Sequence, residues 1–525
     1  MKEENVYIVG GGIASLSCAV FLIRDGRVPG RNIHLYEETG TLGGSLDGLG
    51  SPEDGYVIRG GRMLNFETFE CTWDHLRSIP SLGTPGRTVL DEIVEFNKKG
   101  RTHSRARLVD GNRLKVNVAS PGLSWRDRFD LVKLSALPEK SIGNRRIEDC
   151  FTPAFFKTTF WHLWATTFAF QPWHSAIEFQ RYANRFLHIF PRFHTLEDVS
   201  RTPYNQYDAL VLPISKWLEG QGVRFDMDSR VTGLDFRVGE SAKTVERIHY
   251  LRRGESFKIA VNKEDLVFVT IGSMTADSSL GSMTRAPRLE TGKKDGAWTL
   301  WESIAKNNPD LGRPEVFSGH PGESKWESFT ATLRDPAFFR KMEEFTGNVA
   351  GTGGLVTFKD SNWLLSVVLF RQPHFLNQPQ NVQVFWGYGL FPDKTGNYVP
   401  KKMSDCTGEE ILTELCGHLG FESELPLLRA TATVIPCMMP YITSQFLARK
   451  PGDRPPVVQE GYPNLALLGQ FCEVPGDTVF TVEYSVRSAQ MGVYSLLKLD
   501  KKVKPIYKGK RHIGVLWNAL RSALK

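Results

Sequence analysis

The sequence predicts an α/β protein. Its centre is a Rossmann-like dinucleotide-binding sheet assembled from discontinuous segments, and α+β insertions form a substrate-binding domain around it. Three observations lead there. A β-branched run, Val6 to Val9, ends in Gly10-Gly-Gly12-Ile-Ala14-Ser15 and enters an apolar helical stretch. A second strand, Asn32 to Tyr36, closes on the acidic Glu37. Two continuous apolar runs, Asp265 to Ser273 and Asn464 to Gln470, recur far downstream and read as buried parallel strands. At 525 residues the chain has room for two or three domains and a deep ligand cavity.

In chain order, Gly10 suits the tight turn after the first strand, and Gly12 lets backbone approach a pyrophosphate. Ala14 and Ser15 keep the first helical turn small enough for close packing. Free N–H groups at that helix start would hold the phosphates. Glu37 lies where a carboxylate accepts ribose hydroxyls, and the following Gly43-Gly44-Ser45 supplies a second flexible backbone turn; a Gly-Gly pair after the acidic residue favours FAD over NAD. Gly60-Gly61-Arg62 would bring backbone N–H groups and a fixed cation near a flavin ring, with purely conformational glycines as the alternative.

Further on, the uncharged stretch Thr158 to Ile177 is long enough to span a bilayer, but His162, Gln171, Pro172 and His174 interrupt it. Its aromatics, Phe160, Trp161, Trp164, Phe168, Phe170 and Trp173, instead suit a buried helix and turn, as core or as the wall of an apolar channel. Val223 to Met227 and Arg230 to Phe236 are strand-like, and Gly272 with Ser273 ends the third buried strand on flexible backbone. Asp477 to Leu497 reads as a turn entering a helix with Ser485 and Ala489 on one face, the segment that returns to the flavin in two-dinucleotide-domain flavoproteins. The expected division is 1–85, 200–284 and 456–500 for the FAD-binding part, 86–199 and 285–455 for the substrate part, and 501–525 as a basic tail.

Composition narrows the function. Seven scattered cysteines, odd in number and without a CxxC pair, support neither a disulfide framework nor a metal site, and they suit a reducing cytoplasm. The N-terminus enters a strand at once and has no secretory signal pattern. The net charge of +7 resides in the tail, whose eight cationic side chains face no acidic residue within 501–525, so the body carries no basic field and nucleic acid is not an expected partner. In that tail Ile513, Leu516, Trp517, Leu520 and Leu524 recur at helical spacing. They form either an interfacial helix in peripheral contact with an anionic membrane or a stripe packed on the protein.

Several motifs carry a resemblance over residues 5 to about 500: Gly43-Gly-Ser-Leu-Asp-Gly48, Gly55-Tyr-Val-Ile-Arg-Gly-Gly-Arg62, Ala169-Phe-Gln-Pro-Trp-His-Ser175, Tyr204-Asn-Gln-Tyr207, Arg371-Gln-Pro-His374 and Asp477-Thr-Val-Phe-Thr481. The chain resembles the oleate hydratases, once called myosin-cross-reactive antigens. The resemblance implies an FAD protein that adds water across the cis double bond of an unsaturated long-chain fatty acid, with no net redox change. It places the proton donor at Tyr182 and head-group contacts at Gln206 and His374. Two departures stand out. Met63 occupies the position of the usual water-activating glutamate, as in a divergent branch, and Val368 and Phe370 stand where a threonine and an asparagine hold the carboxylate. From the residues alone, Tyr182 could equally be a packing tyrosine bonded to a backbone carbonyl, and His374 a loop histidine. A flavin redox enzyme, a double-bond isomerase and a non-catalytic lipid-binding flavoprotein are the rival readings.

Overall fold

A computed structural model describes residues 4–61, 63–197 and 199–509. Its nucleotide half is a five-stranded parallel sheet in the order Leu465–Leu468, Leu266–Thr270, Val6–Val9, Ile33–Tyr36, Arg224–Asp226. Val6 pairs with Leu266 on one side and Ile33 on the other, so the first strand of the chain lies at the centre. The strands Val6–Val9 and Leu465–Leu468 are buried at every position, as a parallel sheet covered on both faces requires. Helices Ile13–Arg24 and Val482–Leu496 pack against each other. Gly492 lets the second of them close on the sheet, since a Cβ there would lie 3.2 Å from both Ala466 and Leu468. An antiparallel trio, Ser229–Val238, Lys243–Arg252 and Glu255–Ala260, follows the edge strand.

The second half is a seven-stranded sheet: Ser279–Leu280, Ala432–Met439, Trp326–Leu333, Gln383–Gly389, Ser366–Leu369, Val356–Phe358 and Leu108–Val109. Alternation along Trp326–Leu333 separates its two faces. Phe329, Ala331 and Leu333 join the core under helices Ala337–Thr346 and Gly408–Leu419, whereas Trp326 joins Trp386 and Tyr388 on the face toward the nucleotide half. The hairpin Gly48–Ser51/Gly55–Ile58 is fastened to that face by two side chains. The Tyr56 and Ile58 N–H groups donate to Thr332 Oγ1 at 2.8 Å and Thr330 Oγ1 at 3.1 Å. The chain then runs directly into Arg59-Gly60-Gly61.

The aromatic stretch forms the helix Thr159–Phe168, N-capped by Thr158, whose hydroxyl accepts from the Trp161 N–H. Ala169 ends it in the left-handed region (φ 62°), and after a turn the helix Ala176–Arg185 begins. Among the described residues no helix is long and apolar enough to cross a membrane. All seven cysteines are free thiols.

Candidate active site

Three adjoining features define the candidate site: a nucleotide groove, a cavity holding Gln206 and His374, and a small aromatic cavity. The groove, about 450 Å³, is lined by Gly10, Gly12, Ala14, Glu37, Gly44, Ser45, Gly272 and Ser273. Gly10 takes φ +95° and donates its N–H to the Tyr36 carbonyl at 2.8 Å, making the turn. Around a Cβ built on Gly12 there is nothing within 4 Å, so that position opens into the groove, and the helix it starts has no side-chain cap. The first-turn N–H groups are thereby left for an anion. The two glycine turns are pinned together: Gly43 N–H donates to Gly11 O at 2.9 Å, and a Cβ on Gly44 would lie 3.2 Å from Gly12 Cα.

Glu37 accepts from Gly11 N–H at 2.6 Å, and from the Thr39 N–H and hydroxyl at 2.9 and 2.7 Å, which fixes its carboxylate at the groove edge. Ser15 is not among the lining residues. Its hydroxyl sits 2.8 Å from Thr270 Oγ1 beneath the groove and ties the helix to the sheet. Arg59, a member of the Gly55–Arg62 motif, lines the groove through a bidentate pair with Asp47 and a bond to the Gly44 carbonyl, a role that its place in the motif does not announce. Gln470 and Ser485, bonded to each other at 2.8 Å, bring in the C-terminal segment. Arg62, expected to hold the cofactor, lies outside the described residues.

Tyr182 is buried on the helix Ala176–Arg185 and donates its hydroxyl to the Val479 carbonyl at 2.6 Å. Phe168, Phe170, Phe186 and Phe446 surround the ring. Ion pairs lock the helix in place. Arg181 pairs with Glu139 and Glu473, and Arg185 with Glu70. The two arginines nearest Tyr182 on its own helix are therefore neutralised by carboxylates and leave no free cation to acidify the phenol. Burial would raise the Glu178 carboxyl, but Arg454, Arg449 and Arg181 outweigh it and hold it at about 2.

Tyr182 lines an apolar cavity of about 70 Å³ with Met63, Phe168, Phe186 and Phe480. A second cavity, about 100 Å³, is lined by Gln206, His374, Arg201, Val368, Phe370 and Trp386. Gly61, Met63, Thr167 and Phe480 line both, so they form a common wall. Together the two fall short of the roughly 300 Å³ at which ligand pockets begin, so a long chain must displace that wall, and unbranched Met63 is suited to yielding.

Gln206 and His374 are brought together by backbone, the Asn205 N–H donating to the His374 carbonyl at 2.9 Å. His374 stacks on Phe370 with ring centroids 3.9 Å apart. Burial, with Arg201 adding repulsion, lowers its pKa to about 3, so at neutral pH it is an uncharged donor or acceptor rather than the imidazolium that an ion pair with a carboxylate requires. No carboxylate lines either cavity among the described residues. Glu67 is exposed, and Glu70 is occupied by Arg185 and Arg487, so neither near-sequence glutamate reaches the Met63 position.

The family described as MCRA matches this chain over residues 3–494. An oleate hydratase of Streptococcus pyogenes serotype M49 (strain NZ131) is 42% identical over 514 residues, 96% of this chain and 87% of that protein. A linoleate hydratase of Lactiplantibacillus plantarum is 32% identical over 548 residues, 96% of each. Among solved structures, cyclohexylamine oxidase from Brevibacterium oxydans IH-35A superposes with a TM-score of 0.53 at 12% identity, covering 94% of this chain and 99% of that one. At that identity the likeness concerns the fold.

Proposed function

The chain belongs to the MCRA family, and from that membership we propose that its joined cavities hydrate the cis double bond of an unsaturated long-chain fatty acid. It is a fatty-acid hydratase, a hydro-lyase, as its relatives' names indicate for them. The observation that carries the reading is the common wall of Gly61, Met63, Thr167 and Phe480. It separates a cavity holding polar head-group candidates from an apolar one holding a single phenol, the layout that a chain with a carboxylate at one end and an alkene further along would use.

The groove fits FAD. Gly12 and the uncapped helix start suit its pyrophosphate, Glu37 its ribose, and Gly44, Ser45, Gly272 and Ser273 its approach to backbone. FAD, when bound, supplies a planar polar surface that shapes the site; hydration moves no electrons. The chain's own residues supply the proton chemistry. Tyr182 gives its phenolic proton to one alkene carbon, water adds to the cation developing at the other, and the phenolate recovers the proton that water releases. The cycle balances without a carboxylate at position 63, which matches the absence of one in the described lining. Gln206 and neutral His374 offer hydrogen bonds to the head group.

We also propose a cytoplasmic location with peripheral contact to anionic lipid through 501–525, supported by the free cysteines and the tail's excess of cations.

The test is anaerobic incubation of FAD-loaded protein with oleate in heavy-oxygen water. A labelled 10-hydroxy acid without stoichiometric flavin reduction is expected. Unlabelled, desaturated or shifted product would transfer the assignment to redox or isomerase chemistry, and binding without turnover would leave a lipid-binding flavoprotein.

A further inference from the structure

Five arginines of the described interior are each matched by a carboxylate. Arg181, Arg185, Arg449, Arg454 and Arg487 are buried and each faces a carboxylate. Arg201 and Arg107 do not. The Arg201 guanidinium donates to the Gly351 carbonyl at 3.3 Å and to that of Gly353, which leaves part of its five-donor fork uncommitted. Arg107 is buried and donates to Leu355 O, Phe193 O and Thr167 Oγ1 at 3.1, 3.0 and 2.8 Å. Neither forms an ion pair among the described residues.

Both belong to the head-group cavity. Arg201 lines it directly, and Arg107 holds two of its lining residues, Thr167 and Leu355. Burial lowers Arg201 to about 10, and it lowers Arg107 to about 9 with Arg201 contributing repulsion. Unpaired charge in such a place is costly. An anion entering the cavity would relieve that cost at both arginines, and Arg201, half-buried because it borders the open space, is the one that could touch it.

We propose that Arg201 is the substrate-positioning cation that receives the fatty-acid carboxylate, replacing the donors that Val368 and Phe370 cannot supply. This rests on the hydratase reading above. The carboxylate then lies at the Arg201, Gln206 and His374 end, and the alkyl chain runs over Met63 toward Tyr182. Arg107 stays behind the wall and acts through its field.

The experiment compares oleate with oleyl alcohol, the same chain with an uncharged head, on FAD-loaded wild type, Arg201→Met and Arg201→Lys. Wild type should prefer the acid. Arg201→Met should raise KM for oleate by roughly 100-fold, keep kcat within a few-fold and leave the alcohol unaffected, and Arg201→Lys should restore part of the loss. Equal weakening toward acid and alcohol would assign Arg201 a structural role and overturn the proposal. So would a wild type that does not distinguish the two heads, a result that needs no variant to fold. If wild type hydrates neither compound, the hydratase reading itself falls and takes this proposal with it.

Discussion

The Tyr182 hydroxyl is anchored 2.6 Å from the carbonyl oxygen of Val479, 297 residues away in sequence. The proposed proton donor is therefore tied to the segment that leads into the helix Val482–Leu496 beside the nucleotide groove. In this arrangement the phenolic proton points at backbone, so reaction requires the hydroxyl to turn from that carbonyl toward the alkene.

Tyr182→Phe keeps the ring and its aromatic neighbours and deletes only the hydroxyl, and with it the transferable proton. Hydration should fall by roughly 10²- to 10⁴-fold, the range for a general acid, while FAD and oleate binding persist. The lost hydrogen bond should cost about 1 kcal/mol of stability. Turnover assays beside FAD titration check this; turnover at the wild-type rate would remove Tyr182 from the mechanism.

Met63→Glu should preserve or raise hydration, because it adds a proton acceptor to a lining that has no carboxylate among the described residues. The apolar cavity will raise the new carboxyl's pKa, so any gain should grow toward alkaline pH. A pH–rate profile of the variant decides. Collapse of activity at every pH would show a site rebuilt around methionine.

The nucleotide half was legible because its chemistry is local. Gly10, Gly12 and Glu37 sit within one strand–helix–strand passage, and each has a backbone reason to be what it is. The cavity was legible only in part. Gln206 and His374 came from resemblance, and they meet through an Asn205–His374 backbone bond that no spacing announces. Arg201 and Arg107 gave no signal, since an arginine is marked by the carboxylate it lacks only once its neighbours are known. Val479 lies inside the Asp477–Thr481 motif, yet its role is carried by a carbonyl, which every residue has. The tail stripe at Ile513 to Leu524 lies outside the described residues.

Stability should decline as pH falls from about 6.5. Burial lowers His75, His174 and His374 to about 3 each. The unfolded chain binds protons at these histidines from about pH 6.5 downward while the native protein does not, so stability present above that pH is lost on acidification. At about pH 5.5 each contributes a loss of about 1.4 kcal/mol relative to its fully neutral state. Urea melts at pH 7.5 and 5.5 should show this, and His75→Gln or His174→Gln should flatten the dependence. Unchanged pH dependence in both variants would show that these groups do protonate in the native state.

Removing 510–525 should weaken sedimentation with anionic vesicles and spare FAD binding. The cut must fall after residue 509, because the Lys504 and Tyr507 carbonyls accept from Arg487 and Arg185, and Tyr507 N–H donates to Glu70 at 2.7 Å. Vesicle binding equal to that of the full chain would assign the tail to packing.

The central position of Val6–Val9 in the parallel sheet also dictates when this protein becomes competent. Val6–Val9 waits for Leu266–Thr270 on one flank and, beyond its neighbour on the other, for Arg224–Asp226, and the sheet closes only with Leu465–Leu468. Such distant pairings form slowly and leave apolar edges open during synthesis. On the proposed FAD reading, cofactor capture would accordingly come late in biogenesis, and a nascent chain halted before Leu465–Leu468 should need chaperone protection.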